Sequence, residues 1–120
     1  MTTSTLFHRT TLLGALMMTF QTGAQAAAMP PQMLDMYKQI CVKAAAMPKP
    51  YGEWDLKGNA KLGAYCDCFS PLFAARAMKA SEFMQKNPGK APGTLEESNK
   101  EELAMRNTCR KQVGLPGAAP

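Results

Sequence analysis

The chain has 120 residues, a formal net charge of +5, 46% hydrophobic and 19% charged residues. That length supports one domain, and the composition excludes a solvated polyelectrolyte and a multi-span membrane protein. The basic residues are scattered along the chain with no stripe interleaved with aromatics, which argues against nucleic-acid binding.

The N-terminus reads as a secretory signal. Residues 1–9 carry Arg9 and no acid, and about eleven largely apolar residues follow, too few for the roughly 20 that span a bilayer. Ala24-Gln25-Ala26 then forms an A-x-A exit, so residues 1–26 are assigned as signal peptide, with cleavage after 26 or 28. Loss of Arg9 leaves thirteen basic against nine acidic residues, and His8 leaves with the same segment. The expected destination is the periplasm or the exterior. No later segment is apolar enough to span a membrane.

A helical domain is expected over 29–113. The Pro30-Pro31 pair suits a helix start. Met33, Met36, Tyr37, Ile40, Ala44 and Met47 then recur at steps of three and four, the pattern of one buried apolar stripe reaching Met47. The segment 48–59 breaks this pattern with two Pro and two Gly. Its Tyr51 and Trp54 are read either as a lid over the core or as the contact with a partner.

A second helix is predicted over 60–69, ending where Ser70-Pro71 breaks or kinks the chain. Ser70 as N-cap and Pro71 at the first position would then open a third helix to about Lys86. Leu72, Phe73, Ala77, Ala80, Phe83 and Met84 would face inward on it. Thr94 with Glu97 three residues later forms a capping-box pattern. The last helix should therefore run to Val113 and stop at Gly114. Its apolar pattern is thin, which places it on the outside of the bundle, and 114–120 reads as a disordered tail.

Cys41, Cys66, Cys68 and Cys109 all lie in the exported part, and an even number in a short exported chain indicates disulfides. Residues i and i+2 of a helix point about 200° apart, so Cys66 and Cys68 diverge. One would reach Cys41 and the other Cys109, each bridge worth roughly 3 to 4 kcal/mol in the chain-entropy model. Which goes where is open at this level. The expected fold is therefore all-α, a small three- to four-helix bundle stapled by disulfides.

Without a histidine in the exported part, the commonest general base and the histidine metal sites are missing. The acids, Glu53 and Asp55 among them, read as solvated, and Arg106, Arg110 and Lys111 as cations at a helix C-terminus. No catalytic set, cofactor or metal ligand emerges. The functional expectation is a non-enzymatic accessory factor (inhibitor, immunity protein or chaperone-like) that binds another envelope or secreted protein. The alternative is a periplasmic copper carrier using Cys66, Cys68, Met29 and Met33, soft sulfur ligands suited to Cu(I).

Overall fold

A computed structural model of the chain describes residues 29–48 and 52–118. The expected signal peptide, Tyr51 and the last two residues of the tail lie outside the described residues. Three α-helices and one short 3-10 turn are present and no strand is found among the described residues: α1 (Pro31–Ala44), the turn Trp54–Leu56, α2 (Leu62–Lys86) and α3 (Leu95–Val113). The fold is all-α. Central α2 packs against α1 on one flank and α3 on the other.

α1 starts as the Pro pair dictates, with Pro31 in its first turn and the Met33 and Leu34 N–H groups donating to the Pro30 carbonyl. It stops at Ala44, one turn short of the expected end. The Ala44 carbonyl instead accepts from Glu53 N–H at 3.1 Å. That closure requires Gly52, whose φ is +71° and whose Cβ, were there one, would sit 2.3 Å from the Ala44 oxygen.

α2 departs most from expectation. The helix passes unbroken through Ser70-Pro71 for 25 residues, although an interior proline removes one backbone donor and crowds the carbonyl four residues earlier, at a cost of about 3 kcal/mol. Packing offsets this. Tyr65, Phe69 and Phe73 stack along one face with ring centroids 5.7 and 5.5 Å apart, and Tyr37 of α1 meets Phe73 edge-on at 5.9 Å. A break at Ser70 would separate Phe69 from Phe73. The buried Ser70 hydroxyl has no hydrogen-bond partner among the described residues, and the helix runs through it rather than starting there.

The continuous helix gives Cys66 and Cys68 their divergence. Cys66 is bridged to Cys41 of α1 and Cys68 to Cys109 of α3, with Cα–Cα distances of 5.7 and 5.6 Å, and no free cysteine remains. The two bridges leave one turn of α2 in opposite directions. Around them Leu56, Tyr65, Phe69 and the buried cysteines form a small core, bordered by Leu62, Phe73, Met105, Val113 and Leu115. A core this size needs covalent staples.

α3 begins with a complete capping box. Thr94 Oγ1 accepts from Glu97 N–H at 3.1 Å, and the Glu97 carboxylate accepts from Thr94 N–H at 2.8 Å. It ends at left-handed Gly114 in a Schellman arrangement, with Gly114 N–H donating to Lys111 O and Leu115 N–H to Arg110 O. α3 lies on the outer flank of α2, as its thin apolar pattern leads one to expect, and buries Cys109 and Arg110 near its end. Residues 114–118, expected as a disordered tail, lie back on the helices: Lys61 Nζ donates to Gly114 O and Ala118 N–H to Asn107 Oδ1, each at 2.9 Å.

Candidate functional site

The charges that the sequence places at the surface form a buried cluster. The 3-10 turn carries Glu53 inward until its carboxylate is only 2% exposed. Its Oε1 accepts from the Tyr65 hydroxyl at 2.5 Å, and Oε2 from Arg110 Nη2 at 2.5 Å. Arg106 Nε lies 3.1 Å from Oε1 as an ion-pair partner, but its N–H is not aimed for a hydrogen bond. Arg110, 1% exposed, also grips Asp55 with both terminal nitrogens at 2.7 and 2.8 Å. Its guanidinium lies 5.7 Å from the centroid of the Tyr65 ring.

Electrostatics follow from these contacts. The Arg110 hydrogen bonds hold the Asp55 carboxyl below its ordinary range. Burial, then the bond to Glu53, push the Tyr65 hydroxyl well above its usual value. The Asp55 bond, with Glu53 beside it, raises Arg110 further. The Asp55 carboxylate stays ionised, the Tyr65 phenol stays neutral, and burial closes Glu53, Tyr65 and Arg110 to a substrate. The cluster acts as a clamp that fixes the 3-10 turn and the end of α3. Sequence reasoning missed it, although Arg106 and Arg110 at i,i+4 beside Cys109 mark one face of α3, and Gly52 marks the turn that sinks Glu53.

The residues singled out for function are dispersed. Trp54 sits half-buried in the 3-10 turn, between buried Glu53 and exposed Asp55. Cys66 and Cys68 are both consumed in bridges. Neither sulfur remains a thiolate, which overturns the cysteine half of the copper set; Met29 and Met33 are half-buried near the start of α1.

Two apolar surfaces stand out instead. The first is the stripe of α1. The bridge from Cys41 to Cys66 and the edge-on contact of Tyr37 with Phe73 turn that side of the helix toward α2. Met33 and Ala44 of the expected stripe are half-buried, but three of its members, expected inside, face out: Met36 is 49% and Ile40 51% exposed, and Met47 is exposed with them.

The second surface is a cleft of about 820 Å³ between the far half of α2 and the start of α3. Phe83 and Met84, expected inward, are exposed in this half of α2, as is Leu72 nearer its middle. At the cleft base Arg76 ties the helices together: Nε donates to Glu101 Oε2 and Nη2 to Ser98 O, each at 3.0 Å. Among the described residues no helix is long and apolar enough to cross a membrane. Comparison with protein-family models, curated proteins and solved structures finds no match.

Proposed function

We propose that the protein is an exported, non-enzymatic binding protein that engages an apolar segment of another envelope or secreted protein through the outward stripe of α1. One observation carries this reading: a disulfide fixes α1 with Met36 and Ile40 about half exposed instead of packed. A covalent bond that holds apolar side chains toward solvent preorganises a contact surface, which lowers the entropy lost on binding. Methionine is flexible and polarisable, so such a surface adapts to related partners. That property suits an inhibitor, immunity or chaperone-like factor.

Two disulfides support export to an oxidising compartment, since they do not persist against cytosolic thiols. The closed charge cluster supports a non-catalytic role, because Glu53, Tyr65 and Arg110 are buried and bound to one another rather than presented to a substrate.

The test places a photo-crosslinking amino acid at position 40, and at exposed Lys111 as control, in the oxidised protein within its own cell envelope. One partner should crosslink at position 40 and not at 111. Once that partner is identified and purified, Ile40→Asp should weaken its binding at least about tenfold, or 1.4 kcal/mol. Equal labelling at both positions, or unchanged affinity for Ile40→Asp, would overturn the proposal.

A further inference from the structure

The cleft between α2 and α3 lies apart from the α1 stripe and has a different character. One wall carries Phe73, Ala77, Ala80 and Phe83 of α2, the other Pro92 and Leu95 at the start of α3. Ala77 and Ala80 leave a hollow on the α2 wall. Leu95 projects at the opposite lip, 77% exposed and the most exposed of the large hydrophobic residues described.

Charge is divided between the same walls. Arg76 and Lys79 line the α2 side, Glu97 and Glu101 the α3 side. Arg76 and Glu101 neutralise each other across the cleft base. Lys79 and Glu96, the neighbour of Leu95, enter none of the ion pairs found among the described residues.

We infer that this cleft is the interface of a two-fold dimer, occupied by the same cleft of a second copy. A two-fold axis through the cleft turns the α3 lip of each copy onto the α2 wall of the other. Each Leu95 then enters the hollow at Ala77 and Ala80, and each Lys79 faces the other copy's Glu96. This is the self-complementarity that an isologous interface requires. A foreign chain would have to supply a projecting apolar side chain and both signs of charge; a second copy already carries all three. The α1 stripe takes no part, so self-association and partner capture are separable.

The test is sedimentation equilibrium of the purified, disulfide-intact protein from about 1 μM to about 1 mM, which spans weak to moderate association. A reversible monomer–dimer equilibrium is expected. A monomer throughout, or open-ended assembly, would overturn the inference. Leu95→Glu is the decisive variant, because an acid in the first turn favours α3 itself while placing a charge in the partner's hollow. It should keep the helical circular dichroism and raise the dimer dissociation constant at least about tenfold; dimerisation like wild type sinks the inference.

Lys79→Glu and Glu96→Lys should each weaken association alone, and an equimolar mixture of the two should restore it. Failure of the mixture to do so rejects the predicted contact. Ile40→Asp should leave the dimer unchanged. A dimer lost with Ile40→Asp would move the interface to α1 and reject the cleft, whatever the outcome of partner capture.

Discussion

Arg110 holds Asp55 with two nitrogens across 55 positions of chain, while the same guanidinium reaches Glu53 at 2.5 Å. The neighbouring residue, Cys109, is bonded to Cys68 of α2. Two successive residues of α3 thus attach it to the 3-10 turn and to α2. The covalent bond fixes distance, and the charge contact fixes rotation.

Arg110→Met should therefore lower the unfolding free energy by about 3–5 kcal/mol, because it leaves Glu53 buried without its strongest partner. Adding Glu53→Leu should recover part of the loss, since no carboxylate is then stranded inside and the more exposed Asp55 rehydrates. Urea unfolding of the oxidised proteins measures both steps. A double variant less stable than the single one would contradict the buried-charge account.

The same cluster sets opposite limits on the pH range. Asp55 has a folded pKa below its ordinary 3.8, so its contribution is complete above that value and is lost as pH falls toward the folded one. Tyr65 has a folded pKa raised above 10.0. Its contribution is complete below pH 10 and is lost as pH rises beyond it, because the unfolded chain ionises first. Urea midpoints against pH should fall at both ends. Asp55→Asn should flatten the acid limb, and Tyr65→Phe the alkaline one.

The bridges should reduce in order. Cys41, Cys66 and Cys109 are buried, whereas Cys68 is partly exposed, and exchange requires an attacking group to reach a sulfur. Limiting phosphine followed by alkylation should label Cys68 and Cys109 before Cys41 and Cys66, as read by peptide mass spectrometry. Earlier labelling of Cys41 would contradict exposure as the controlling factor.

Pro71→Ala should stabilise the protein. The position is exposed and lies inside a continuous helix, so alanine restores the donor for the Asp67 carbonyl and improves helix propensity. A gain of about 1–3 kcal/mol is expected by urea unfolding. A loss would show that the proline has a role in the native packing beyond the one described.

What the sequence reveals divides along physical lines. α3 is legible almost to the residue, because the Thr94–Glu97 box and Gly114 are signals contained within a few positions. The divergence of Cys66 and Cys68 is legible too, since it follows from helix geometry alone. Ser70-Pro71 misleads because a local rule of about 3 kcal/mol competes with the Tyr65–Phe69–Phe73 stack, which periodicity does not weigh. The rotation of α1 is hidden for a related reason: periodicity finds the apolar stripe, but the Cys41 bridge decides which edge of it is covered. Glu53 and Arg110 lie 57 positions apart, and nothing local to either announces the pairing.

The two bridges leave α2 at residues 66 and 68, so every covalent cross-link in the described structure is gathered at one level of the central helix. From there α2 runs a further eighteen residues to Lys86, about 27 Å, with no other cross-link to either neighbour. Beyond that level α2 and α3 are held side by side by the turn 87–94 that joins them and by noncovalent ties such as Arg76 to Glu101 and Ser98, so a shift of their distal ends would strain no disulfide.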